Sequence, residues 1–312
     1  MTRYFVIVNP VSGRGDGERA IPTIHEKLRE YGMDYELVRT EHPWHAAELA
    51  LDSARDGYDV VVAVGGDGTA NEVLNGLMIA KSEGVSIPAM GFVGVGRGND
   101  FAFGVGVPHG LEVGLEILAR DARQMIDVGR VWGGQYPDGR YFGNGIGIGF
   151  DAVVGFEAQK ITRLHGFPNY IVAALKTMFL YFRAPEVRIV YDDEELTLPA
   201  IMVSVMNGRR MGGGFMMAPT AKSDDGLLNL CIAEQVSRLK ILQLIVKFMA
   251  GTQESDAAIH TRQAKRVLIS ALDGALPAHA DGETLCTEGR KLSVELLPAQ
   301  LEVVSPSLEG SA

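Results

Sequence analysis

Cysteine is scarce in this chain of 312 residues: there are two, Cys231 and Cys286, far apart and without metal-type spacing. That leaves little support for a disulfide framework or a zinc cluster and fits a reducing cytoplasm. Positive charge is in deficit. Twenty-nine Lys and Arg against 39 Asp and Glu give a formal net charge of -10, and no basic block offsets it, which argues against a nucleic-acid binder. No apolar run reaches the roughly 20 residues that cross a bilayer. The longest, 170–182 and 239–249, contain Lys176 or Lys240 and Lys247. The chain starts with a strand-like run over 4–8 rather than a charged start and an apolar signal segment. Secretion and membrane spanning are both disfavoured, although a local basic or apolar face is compatible with a lipid surface. Glycine, in contrast, is plentiful, and its 38 residues cluster at strand ends.

The length suits two domains, each with its own core. Over 1–128, short apolar runs alternate with helical periodicity, which predicts strands over 4–8, 34–40, 59–64 and 89–93 and helices over 18–31, 44–56 and 70–80. Such a series is an open α/β sheet covered by helices, and ligands bind such sheets beyond the carboxyl ends of the strands. Over 129–312 the apolar runs shorten, with turn signals at 133–134, 137–139, 192–193, 224–226 and 273–274. This predicts a mainly antiparallel β domain, a sandwich or a barrel, interrupted by helices over 169–182 and 237–250. The tail from 305 is expected to be disordered.

Three glycine-bearing loops follow three strands of the first domain. Asn9-Pro10-Val11-Ser12-Gly13-Arg14-Gly15 offers amides and a hydroxyl to a phosphate, or is a plain strand-to-helix turn; it lacks the Gly-Lys-Ser/Thr of a Walker loop. Gly65-Gly66-Asp67-Gly68-Thr69 carries a carboxylate, which next to a phosphate requires a divalent cation between them or a proton-accepting role. Otherwise Asp67 or Thr69 caps a helix. The third loop, Gly94 to Asp100, offers Arg97 as a phosphate contact, with Asn99 and Asp100 as contacts or caps. Three such loops converge on one sheet edge, which is far more specific than any one of them.

At this point the chain resembles the diacylglycerol kinase catalytic-domain family, which includes bacterial diacylglycerol kinases, sphingosine kinases and ceramide kinases. The resemblance rests on Asn9-Pro-Val-Ser-Gly13, Gly65-Gly-Asp-Gly-Thr-Ala-Asn-Glu72, Gly98-Asn-Asp-Phe101 and, far downstream, Asp281-Gly-Glu283, in that order. It implies an ATP- and Mg2+-dependent lipid kinase with a nucleotide-binding α/β domain and a β-sandwich on the lipid side. Asn9, Pro10, Val11, Ser12 and Gly13 match positions that hold ATP phosphates, and Thr40 matches one beside the nucleotide. Gly66, Asp67, Gly68, Thr69, Ala70, Asn71 and Glu72 match the phosphate-binding turn. Arg97 stands where the family usually has Thr or Ser, a departure that leaves the hydroxyl contact open and offers a guanidinium to the phosphate through charge instead.

The resemblance also assigns Glu283 as the catalytic base and Asp281 as its supporting carboxylate. A lipid hydroxyl is a poor nucleophile and needs a positioned group to take its proton. Without the upstream loops, Asp281-Gly282-Glu283 reads more readily as a solvated turn. Lys222-Ser-Asp-Asp-Gly-Leu227 resembles a Mg2+-binding turn, with Asp225 as the side-chain ligand and the carbonyls of Lys222 and Leu227 beside it, a hard-oxygen set that suits Mg2+. A metal-free Asp-Gly turn is the alternative. The helix over 237–250 has a broad apolar face, expected to pack on a core more readily than to touch a membrane. His165 reads as an ordinary loop histidine. The expected protein is a cytoplasmic enzyme docking peripherally on membranes, with a homodimer left open. The rivals are an NAD kinase, which shares the Gly-Gly-Asp-Gly turn, and a catalytically silent lipid-binding member of the fold.

Overall fold

A computed structural model describes residues 1–96, 98–161, 167–180 and 183–306. Arg97, His165 and the tail beyond 306 lie outside the described residues. The chain divides into two compact units, Met1–Ile126 together with the chain end from Ala299, and Asp127–Pro298.

In the first unit the apolar runs become parallel strands: β1 (Arg3–Val8), β2 (Asp34–Arg39), β3 (Val60–Gly65) and β4 (Ala89–Gly94). They pair in the order β2-β1-β3-β4. The Val60–Gly65 strand is buried throughout, as a strand covered on both faces must be. Helices α1 (Asp16–Glu30), α2 (His45–Arg55), α3 (Asp67–Ser82), α4 (Asp100–Gly104) and α5 (Leu111–Arg120) follow the strands, with α2 packed on α3 and α1 on α5. The chain goes from β1 outward to β2 and returns to place β3 on the other side of β1. The carboxyl ends of β1 and β3 are therefore a topological switch point, where such sheets bind ligands.

The second unit contains most of β5 (Arg123–Gly133), β6 (Tyr136–Phe142), β7 (Gly145–Gly149), β8 (Glu186–Tyr191), β9 (Glu194–Met206), β10 (Leu228–Glu234), β11 (Ile259–Ala264), β12 (Arg266–Ala271), β13 (Leu276–Ala280), β14 (Glu283–Gly289) and most of β15 (Lys291–Val304). All pairings within this unit that involve β7 to β14 are antiparallel. Strand β9 serves two sheets. Its first half pairs with β8, its second half with β7 and β10, and the change comes at Pro199, which has no amide to donate. The inner faces share one core that includes Phe142, Ile146, Val203, Leu230, Ile269 and Leu292. This is a sandwich.

Two expectations need correction. Pro137-Asp138-Gly139 does not make a turn but lies inside β6, and the chain reverses just before it, at Gly134 and Gln135. The chain end was expected in the second domain, yet Val303 pairs in parallel with Met90 of β4, so this last piece adds a strand to the first unit's sheet.

Helices α6 (Phe150–Lys160), α7 (Phe167–Leu180) and α8 (Arg238–Ala250) build a second core cluster from Ala173, Met178, Ile241, Leu244 and Phe248. Ser237 caps α8 by accepting the Lys240 amide, and Gly251 ends it in the left-handed region. Lys240 and Lys247 donate from α8 to one oxygen of the buried Asp256, at 2.6 and 2.8 Å. Those bonds hold the Asp256 carboxyl far below its ordinary value, against the opposing effect of burial. A depressed carboxyl stabilises the fold above its unfolded value of about 3.9 and loses that contribution as pH falls through the folded value. Asp256→Asn is expected to cost about 1–3 kcal/mol at neutral pH. In melting curves measured against pH, the gap to wild type should close in acid.

Candidate active site

Three loops meet at the switch point of the first unit. The Asn9 amide donates to Val64 and its side-chain nitrogen to Thr69 Oγ1 at 3.1 Å, which ties the end of β1 to the start of α3. Asn9 Oδ1 in turn accepts the Val11 amide at 3.2 Å. The Val95 and Gly96 amides both donate to Gly65, each at 3.0 Å, joining the third loop to the second. Gly96 and Gly66 lie so close that a methyl group on Gly96 would land on the Gly66 backbone, and the Ser12 hydroxyl lies beside Gly66. Only glycine allows that approach. The N-cap of α3 is the extended Gly66, which has no side chain to cap with. A helix start of this kind, at a switch point and lined by backbone, suits an anion.

The matched residues are divided by the helix turn. Asn9, Ser12, Gly13, Gly66, Asp67 and Gly68 belong to the meeting loops, with Pro10 and Val11 on the same turn. Asp67 Oδ1 accepts the Phe101 amide at 3.0 Å, so this carboxylate ties down the start of α4, directly after the third loop. Thr40 follows the last residue of β2 on the same sheet edge, where its amide donates to the Val8 carbonyl at 2.9 Å. Thr69, Ala70 and Asn71 turn inward and are buried, and Asn75 donates to Asn71 Oδ1. Glu72 accepts the Ala46 amide at 3.2 Å, a carboxylate placed at the start of α2 rather than on the loops.

In the second unit Asp281 and Gly282 form the two-residue loop of the β13–β14 hairpin. Both have positive φ, 48° and 86°, as a primed turn requires, and Ala280 pairs with Glu283 across it. The solvated-turn reading fails for Asp281. Its buried carboxylate accepts three backbone amides, from Gly143 at 2.8 Å, Asn144 at 3.1 Å and Gly145 at 2.8 Å. Glu283, two residues on, is exposed, and its carboxylate makes no hydrogen bond or ion pair among the described residues. The contrast sorts the two acids: Asp281 braces the hairpin, while Glu283 has its oxygens available. Sequence reading missed His279. It is buried under the turn and its Nδ1 accepts the Gly282 amide at 3.3 Å, a second brace that nothing in the local pattern announced.

The turn at 222–227 connects to the same framework. Asp225 Oδ1 accepts the Leu227 amide at 3.0 Å, while Asp225 Oδ2 has no partner among the described residues. Partial desolvation, and after it the charges of Asp127 and Asp224, push the Asp225 carboxyl above its ordinary value, although the Leu227 amide pulls it down. Crowded carboxylates with an available oxygen fit a hard divalent cation. Asp127, also missed from sequence, is buried and accepts the Gly226 amide at 2.7 Å. Asn207 then donates to the carbonyls of both Asp127 and Gly143, each at 2.9 Å, which links this turn to the one that Asp281 holds. Lys222 is exposed and Leu227 half-buried. A further cluster, His42, His45 and Glu48, has ligand atoms within 4.8 Å of one another. It suits a metal poorly, because His45 Nδ1 accepts the Glu41 amide and a neutral ring then carries its proton on the other nitrogen.

Family models match both units: the diacylglycerol kinase catalytic domain over residues 3–131 and the YegS C-terminal NAD kinase beta sandwich-like domain over residues 144–305. The chain belongs to the diacylglycerol kinase catalytic-domain family. Among curated members, it is 30% identical to a probable lipid kinase YegS-like protein of Chromohalobacter salexigens, over 94% of this chain and 91% of that one. It is 28% identical to diacylglycerol kinases of Staphylococcus saprophyticus, over 90% and 88% of the two chains, and of Mycobacterium tuberculosis, over 96% and 94%. The fold of a diacylglycerol kinase from Bacillus anthracis matches with a TM-score of 0.73 at 23% identity, covering 98% of this chain and 97% of that one. Yeast NADH kinase shares the fold more distantly, with a TM-score of 0.50 at 11% identity over 98% and 84% of the chains.

Proposed function

We propose that this protein is an ATP- and Mg2+-dependent kinase that moves the γ-phosphoryl group of ATP to the hydroxyl of a membrane lipid, with diacylglycerol the first candidate and phosphatidic acid its product. The observation that carries this reading is Glu283, an exposed carboxylate without a partner among the described residues, held at the tip of a hairpin that Asp281 and His279 brace. A lipid hydroxyl attacks phosphorus only as its proton leaves, and a free carboxylate on a rigid turn can take it. On the donor side, the meeting amides of the Asn9 to Gly13 and Gly66 to Gly68 loops would hold the phosphates, with Arg97 as the proposed guanidinium contact. Asp67 would organise the third loop and a phosphate-bound cation. Mg2+, when bound, neutralises phosphate charge, and the Asp225 turn offers a second cation a hard-oxygen seat. No described helix is long and apolar enough to cross a membrane. We place the enzyme in the cytoplasm, docking on membranes peripherally.

The test is transfer of radiolabelled phosphate from ATP to a panel of membrane lipids, with NAD as a soluble competitor. A labelled lipid supports the reading. Label in NADP with none in any lipid would replace it with an NAD kinase, and nucleotide binding without any turnover would replace it with a silent lipid binder.

The cation seat makes a separate prediction. A raised carboxyl favours folding below its unfolded value and loses that contribution as pH rises through the folded value, so ionised Asp225 burdens the metal-free fold at neutral pH. Mg2+ should therefore raise the melting temperature at neutral pH and raise it less in acid. Asp225→Asn should flatten this response and, in chelator, melt no lower than wild type. An equal Mg2+ response in wild type and Asp225→Asn would remove Asp225 from the site.

A further inference from the structure

We infer that the outer face of α7 and α8 is the surface by which this protein docks on a bilayer containing anionic lipid. The choice of occupant rests on the lipid-kinase reading above; the face itself rests on its own geometry.

Each helix has two apolar faces. On α8, Ile241, Leu244 and Phe248 are buried in the core, as expected from sequence, but Leu239 and Val246 are 75% and 64% exposed on the opposite side, with Met249 beside them. On α7, Ala173, Ala174 and Met178 are buried while Phe179 is 66% exposed, and Val172 and Leu175 continue its face at helical spacing. The two helices touch, and the Arg238 guanidinium lies over the Phe179 ring, 5.3 Å from its centroid, so the exposed side chains form one patch. Half of the large apolar side chains exposed among the described residues lie on these two helices. Scattered single exposures are ordinary, but a contiguous patch is not.

The charges select the partner. Neither helix contains an Asp or Glu, in a chain whose net charge is -10. Their cations are Lys176, Arg238, Lys240 and Lys247. The carboxylates that pair with the lysines are buried beneath the helices and each serves two cations, Asp256 with Lys240 and Lys247 and Glu157 with Lys160 and Lys176, so each group keeps one net positive charge while the lysine side chains stay a third or more exposed. Outward, the patch is apolar with a cationic fringe. That is the pattern of an interfacial helix, whose apolar side chains enter the acyl boundary while Lys and Arg stay at the headgroups.

The experiment is flotation of the whole protein with phosphatidylcholine vesicles, with and without phosphatidylglycerol, for wild type, Leu239→Ser alone, and Phe179→Ser/Leu239→Ser/Val246→Ser. All three changes remove exposed side chains, and unchanged melting curves establish that the variants fold. Wild type is expected to float with the anionic vesicles and to release with salt. The triple variant should bind at least about tenfold more weakly and the single variant should fall between. In parallel, transfer to long-chain diacylglycerol in vesicles should fall with binding, while transfer to a short-chain, water-dispersed diacylglycerol should stay at the wild-type level. Equal flotation of wild type and triple variant overturns the inference. So does sedimentation showing a wild-type dimer that the triple variant loses while vesicle binding is retained, since the face would then join two copies. If wild type floats, the triple variant does not, and neither phosphorylates any lipid, the docking face stands and the kinase reading falls.

Discussion

Glu283→Gln is expected to lower phosphoryl transfer to lipid by about 10²- to 10⁴-fold and to leave the melting temperature where it was. Glutamine keeps the shape of the side chain and removes its ability to take a proton. Glu283 is exposed and makes no hydrogen bond or ion pair among the described residues, so no native contact is lost with the charge. The KM for ATP should change little, because the proposed role concerns the acceptor hydroxyl. Radiolabel transfer under saturating ATP, read beside a melting curve, checks both halves. A Glu283→Gln enzyme of wild-type activity would remove Glu283 as the base.

Asp281→Ala should behave in the opposite way and cost stability as well as activity. Three buried amides, from Gly143, Asn144 and Gly145, lose their acceptor at once. A buried donor left without a partner costs about 1–3 kcal/mol, so a loss of at least about 3 kcal/mol is expected. For a unit of the size of Asp127–Pro298, melting on its own, that is a fall in melting temperature on the order of 6–12 °C. Asp281→Asn keeps one acceptor oxygen and should lie between. Activity should fall in both variants, because the hairpin that presents Glu283 loses its brace. Asp281→Ala melting with wild type would mean that those three bonds contribute nothing to the fold.

The first unit was legible because its signals are local. Buried parallel strands read as runs of Val and Ala, as in the Val60–Gly65 strand, and Gly-rich loops mark where those strands end. The second unit was legible as a class, but its details were not. Pro137-Asp138-Gly139 has the composition of a turn yet lies in a strand, as a bulge where the β5–β6 register shifts and Gly139 takes positive φ, a distinction that local composition does not make. The pairing of Val303 with Met90 joins residues more than two hundred positions apart, and no window of sequence contains both. The same holds for the exposed half of α8: periodicity shows an apolar helix, but only packing decides which of its sides meets a core.

At the site, the residue types and their order were determined by the sequence alone: Asn9 to Gly13, the Gly65 to Thr69 turn, Asp225, and Asp281 with Glu283. From these followed the family and the expectation of phosphoryl transfer. Tertiary structure decided the division of labour. It turned Thr69, Ala70 and Asn71 inward, sent Glu72 to the start of α2, and placed Asp127, Asn207 and His279 as supports that no motif marks. Asp281 and Glu283 look alike as letters two positions apart. They differ because one carboxylate is buried against three amides and the other is open to solvent, and burial and hydrogen-bond partners exist only once distant segments have met.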